Sequence, residues 1–154
     1  MKKGAQNMVD AVTQRRLPPW VWAVAGLGVA WNIFGLVQFM GAISATSASL
    51  AAKGMTPDQI DVYLSIPLWM NIAFGIGVVG GLIGSVLLAF KNKLSQPVFL
   101  ASLVAYVVLF IGDIVNVVFA ALGPPQVIVL TTVVAIAAAL LWVAQISNKQ
   151  GHLA

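Results

Sequence analysis

The sequence predicts an all-α fold, a four-helix bundle built to stand in a membrane, and three observations predict it. Of the 154 residues, 60% are hydrophobic and only 8% are charged, whereas a soluble domain carries roughly a quarter charged residues. Four long apolar runs, each near the roughly 20 residues that cross a bilayer, consume almost the whole of 1–154 as a single membrane domain. The basic residues gather at one set of ends of those runs, as a membrane topology requires.

Residues 1–17 are polar and precede any apolar run, although Met8, Val9, Ala11 and Val12 offer one short interfacial turn beside Arg15 and Arg16. The first apolar run is too long for a signal-peptide core and lacks a small-residue cleavage site, so it reads as a retained helix. Pro18 and Pro19 suit a helix start, where the missing N–H costs nothing, and helix 1 is expected over about 20–43. Ser44 to Gly54 has the small, polar composition of a loop. Thr56, Pro57, Asp58 and Gln59 then spell a capping box. In the short helix expected over about 57–65, Ile60, Tyr63 and Leu64 share a face that Asp58 and Asp61 avoid, so it should lie along the membrane surface. Pro67 turns the chain into helix 2, about 68–90, which Lys91, Asn92 and Lys93 stop. Ser95 is the expected N-cap of helix 3 and Pro97 falls in its first turn. Helix 3 should run over about 98–122, until Gly123, Pro124 and Pro125 end it. Helix 4 follows over about 126–147, and a polar tail runs to Ala154.

Lys2, Lys3, Arg15, Arg16, Lys91, Lys93 and Lys149 all fall on one side of that arrangement, and Lys53 alone falls on the other, beside Asp58 and Asp61. Counting Lys and Arg near helix ends places both termini in the cytoplasm. Trp20, Trp22, Phe90, Phe99 and Trp142 fall at the cytoplasmic interface, and Tyr63 and Trp69 at the other, which agrees with aromatic belts.

The formal charge of +4 lies in these flanks and not in a basic face with interleaved aromatics, so no nucleic-acid partner is expected. The absence of cysteine excludes disulfide, thiolate-metal and thiol redox chemistry. The single histidine, His152, sits in the tail, where it cannot be an axial haem ligand inside the membrane. No nucleophile and base pair or metal-ligand cluster stands out. The expectation is a protein that is no enzyme and carries neither cofactor nor metal.

The run M-T-P-D-Q at 55–59, Tyr63, Pro67, Trp69, A-F-G-I-G-V-V-G-G-L-I-G at 73–84, Lys91, Lys93 and P-V-F-L-A-S-L at 97–103 carry a resemblance, which extends back to L-P-P-W at 17–20 and W-N-I-F-G at 31–35. The chain resembles a poorly characterised family of small four-helix bacterial inner-membrane proteins, some of which are labelled sugar transporters. The resemblance implies the architecture and a bacterial inner-membrane location, and it brings no established transport or catalytic residue.

Asp113, placed near the middle of helix 3, is the residue that most needs a reason. A charge at the bilayer centre costs about 2.5–3.5 kcal/mol on insertion scales, and no Lys, Arg or His falls inside the four expected helices. Ser102, Tyr106, Leu109, Asp113, Asn116 and Ala120 recur at alternating steps of four and three, which puts them on one stripe that should face protein. Asn32, Asn71, Thr131 and Thr132 are the expected polar neighbours, and Gln38 joins them. At about 1.5 Å per residue, Asp113, Asn116, Asn71 and the two threonines gather in the outer half of the bilayer. Two readings follow: an outward-opening pocket or proton-titrating site centred on Asp113, or interhelical hydrogen bonds worth about 0.6 kcal/mol per pair that fix helix order.

Helix 2 carries the second pattern. Ala73, Gly77, Gly81 and Ser85 repeat every four residues with Gly80 and Gly84 alongside, so one side admits a neighbouring backbone closely, from this chain or from another protomer. The G-x-G-x-x-G match at 75–80 lies inside an apolar helix instead of a strand-to-helix turn and is not a dinucleotide site. Trp31 and Tyr106, away from both interfaces, are expected to pack in the core, with a ligand contact as the alternative. The functional expectation is a non-catalytic accessory subunit or oligomer that packs against itself or another membrane protein in the bilayer; the alternative is a small proton- or cation-coupled solute transporter that uses Asp113.

Overall fold

The computed structural model describes residues 3–5, 7–8 and 16–154. The interfacial turn expected around Val9, Ala11 and Val12 lies outside the described residues. Among those described, every regular element is helical. In chain order they are α1 (Pro19–Ile43), α2 (Ser47–Ala52), α3 (Pro57–Leu64), α4 (Leu68–Ala89), α5 (Ser95–Val115), α6 (Val118–Leu122) and α7 (Pro124–Lys149). Four of these, α1, α4, α5 and α7, are long and apolar enough to cross a membrane.

The helix starts follow local chemistry. Pro18 is the extended cap of α1 and Pro19 its first residue, as expected where a first-turn N–H has no acceptor. At α3, Gln59 N–H donates to Thr56 Oγ1 at 3.3 Å and Thr56 N–H donates to Gln59 Oε1 at 3.0 Å, so both halves of the capping box form. A second box was not anticipated. Residues 47–52, expected to be loop, are helical because Thr46 and Ser49 cap each other in the same reciprocal way, at 3.2 and 2.9 Å.

Helix 3 departs furthest from expectation. The apolar run over 98–122 is not one helix: it stops at Val115, and Val117 turns the chain with φ of 54° before α6 resumes at Val118. Asn116 closes the end of α5, its backbone N–H and its Nδ2 both donating to the Gly112 carbonyl. No glycine or proline marks the break, which is why an unbroken apolar pattern concealed it. The start of α5 is corrected too. Ser95 lies inside the helix behind Leu94, caps nothing, and has a fully buried Oγ without a hydrogen-bond partner. Phe99, expected at the interface, is buried in the core instead.

The long helices pack in sequence, α1 on α4, α4 on α5 and α5 on α7, whereas α1 and α7 touch sparingly. The small face of α4 serves both of its neighbours. A Cβ on Gly77 would stand 2.6 Å from the Tyr106 ring and one on Gly84 2.7 Å from the Phe99 ring, while Gly81 lies against the Asn32 side chain and Gly80 faces Ser102. Ala73 and Ser85 are buried on the same helix. Ser102 Oγ donates across the joint to the Gly77 carbonyl at 2.6 Å. These close approaches all lie within the chain.

The two ends of the bundle differ. At the proximal end, where Arg16 and the C-terminal tail lie, Leu17, Val21, Ala25, Leu88, Phe99, Leu140, Ala144 and Leu153 close a continuous apolar core. The tail is tied down by Lys93 N–H donating to the Ala154 carbonyl and Ala154 N–H donating to the Lys91 carbonyl. At the distal end, α3 and α6 pack against each other, joined by Gln59 Nε2 donating to the Ala121 carbonyl at 3.2 Å.

Candidate functional site

Beneath those two short helices lies a cavity of about 680 Å³, within the roughly 300–1,000 Å³ of small-molecule sites. Its inner wall comes from α4 and α5, which contribute Asn71, Phe74, Tyr106, Leu109 and Asp113. Trp31, Asn32, Phe34 and Gln38 of α1 form one side, and Gln126, Ile128, Val129, Thr132 and Val133 of α7 form the other. Tyr63, Leu64 and Leu122 contribute from above. At about 1.5 Å per residue, Asn32 lies about 16 Å inside the distal end of α1, so the cavity reaches roughly halfway down the bundle.

Asp113 is 2% exposed and Tyr106 4%. The break at Val117 places Asp113 in the last turn of α5, not at the middle of a long helix. A 21-residue α5 spans about 30 Å, one hydrocarbon thickness, so the acid stands near the distal boundary, where insertion costs less than at the centre. Gln126 Nε2, in the first turn of α7, donates to Asp113 Oδ2 at 2.9 Å. Among the described residues this is the hydrogen bond that the carboxyl group makes, and a carboxylate has room for about four. The Tyr106 hydroxyl and the amides of Asn71 and Gln38 line the same space and hydrogen-bond to no described residue. Burial holds the Tyr63 phenol above its usual 10.0, so it is a neutral donor at the cavity roof near pH 7.

The other expected residues divide. Asn32 lines the cavity, but its Nδ2 donates to the Gly28 carbonyl at 2.7 Å. Thr132 lines it and donates back to the Ile128 carbonyl at 2.8 Å. Ser102, Asn116 and Thr131 do not line it: Ser102 is spent on Gly77, Asn116 on Gly112 with a 3.4 Å contact to Met70 Sδ, and Thr131 faces outward. Among the described residues no group of His, Asp, Glu or Cys could hold a metal ion.

Gln126 was missed. It counted only as the residue that opens helix 4, yet in an up-and-down bundle with a short α5–α7 connection the first turn of one helix must lie level with the last turn of the other. That level carried the signal.

Chemically, the cavity offers a carboxyl group with spare acceptor capacity, the phenols of Tyr106 and Tyr63, the amides of Asn71 and Gln38 and aromatic walls, with no basic side chain among the described residues of the lining. The C-terminus of α5 adds partial negative charge beside Asp113. Such a site favours positive charge or hydrogen-bond donors over anions. Comparison with family models, curated proteins and solved structures finds no match for the chain.

Proposed function

We propose that this multi-pass membrane protein binds a small solute bearing positive charge or hydrogen-bond donors in the distal cavity, and that it is a non-catalytic, proton- or cation-coupled carrier in which Asp113 selects the solute. The observation that supports this reading is the pair of deeply buried, cavity-lining polar groups, Asp113 and Tyr106, whose hydrogen-bonding capacity the chain leaves partly unused. Buried polar groups are ordinarily satisfied, and a residual demand on a cavity wall is what a ligand meets. Discontinuity of the helix that carries the acid is a recurrent feature of transporter sites near a bound ion. By the positive-inside count, both termini face the cytoplasm of a bacterial inner membrane and the cavity faces out.

The test is a panel of small amines, inorganic cations and sugars, the last being the class that the family resemblance suggests. Thermal shift and proteoliposome flux are measured for the wild type, Asp113→Asn and Thr131→Ala, a position outside the lining. Binding weakens at least tenfold in Asp113→Asn, about 1.4 kcal/mol, and changes little in Thr131→Ala. A panel that never shifts the wild type, or shifts it and Asp113→Asn equally, sinks the reading.

A second reading, a subunit that assembles with itself or a larger membrane complex, draws on Thr131, Ala135 and Ala139. These are exposed at four-residue spacing on α7, the small-residue pattern on which membrane helices associate.

A further inference from the structure

The lining residues of the cavity are unequal in exposure. On the inner wall, Tyr106 and Asp113 are buried. On α1 and α7, where Asn32 and Leu130 are also buried, the lining includes exposed side chains: Phe34 is 56% exposed, Ile128 64% and Val129 59%. These three belong to helices apolar enough to lie in the bilayer, on either side of the gap where α1 and α7 make little contact. The cavity therefore opens sideways at membrane depth, between apolar side chains that lipid tails would wet.

We propose that the cavity is loaded laterally from the bilayer, through the distal gap between α1 and α7, by an amphiphile with a cationic head, such as a protonated long-chain amine. The inference rests on the reading of the cavity as a binding site and adds both the class of ligand and its route. The head belongs at Asp113, the only charged side chain among the described residues of the lining, in the last turn of α5. A membrane-dissolved amine carries its charge at that interfacial depth and its chain deeper. The apolar body fits against Phe34, Leu109, Val129 and Val133, where aromatic and branched walls replace lipid at no cost in desolvation. An anionic amphiphile of the same length finds no basic partner among the described residues of the lining and meets the carboxylate with like charge.

The experiment uses the full chain in phosphatidylcholine nanodiscs and a dodecylamine carrying a photoreactive diazirine, with labelled residues mapped by peptide mass. Label is expected on α1 around Phe34 and on α7 around Ile128 and Val129. Dodecylamine should compete, dodecanoate should not, and ethylamine should need at least tenfold more concentration. Labelling should fall at least tenfold in Asp113→Asn. Because the sequence lacks cysteine, Phe34→Cys and Ile128→Cys each accept a single bulky maleimide at the mouth, and either adduct should slow labelling at least fivefold.

Equal competition by dodecanoate overturns the cationic head. Ethylamine competing as well as dodecylamine, with no effect of the mouth adducts, overturns lateral loading while the binding-site reading stands. If no amine competes and Asp113→Asn labels like the wild type, the binding-site reading falls with it.

Discussion

Asp113 shows how the meaning of one residue depends on where its helix ends. An acid near the middle of an apolar run, counted into the outer half of the bilayer, is carried by the turn at Val117 into the last turn of its helix, beside Gln126. The identity of the important residue and its half of the membrane are legible, since an ionisable group in such a run is rare, but its place at a helix end is not. That place depends on a backbone turn that no residue type announces. At the same scale, Gly77 is fixed by its neighbour. A Cβ there would approach the Tyr106 ring to 2.6 Å, so Gly77→Ala must push aside a side chain of the cavity wall. The variant gains about 1 kcal/mol of helix propensity and loses about 1–3 kcal/mol to overpacking. A net loss of thermal stability is expected in detergent, together with weaker binding of any cavity ligand. Unchanged melting and unchanged binding would show that Tyr106 moves freely and that the α4–α5 joint is not tight.

At the scale of elements, capping chemistry was readable where its residues are distinctive. Thr56, Pro57 and Gln59 announced α3, and both reciprocal bonds form. Thr46 and Ser49 make the equivalent arrangement with a serine in place of glutamine, and the small residues around them passed for loop. The α5–α6 break is the element with the largest functional consequence, and it is held by a valine in the left-handed region. A β-branched residue with positive φ is strained, and Val117 is exposed, so its side chain is not required for packing. Asparagine tolerates that conformation. Val117→Asn is therefore expected to raise stability by about 1 kcal/mol, read as a higher unfolding midpoint, with the helix break preserved. A lower midpoint would mean that the valine side chain contributes more than its backbone costs.

Across the whole molecule, the fold class and the four membrane-length helices followed from hydropathy and length, because the bilayer admits few alternatives. The division of labour between the two ends did not follow, since it depends on which helices fail to touch. Hydropathy measures how apolar a helix is and carries nothing about its partners; α1 and α7 are each apolar enough to cross a membrane and yet touch sparingly. The orientation is a separate matter that charge counting addresses. Reporter fusions at both termini should signal from the cytoplasm, and a cysteine substituted at Lys53 should react with an impermeant reagent added outside intact cells. The opposite pattern would turn the cavity toward the cytoplasm and reverse the direction of any coupling.

Gly28 gives the asymmetry a mechanical consequence. It marks the place where α1 comes against Leu140 of α7 and Ser85 of α4, between the sealed proximal core and the distal gap. Two stiff rods that touch side by side at one point behave as a clothes peg: pressing the ends together on one side of the contact parts them on the other. Closing α1 onto α7 around a captured ligand by such a swing must draw Val21 and Ala25 away from Leu141 and Ala144. The pivot residue has no side chain to resist the rotation.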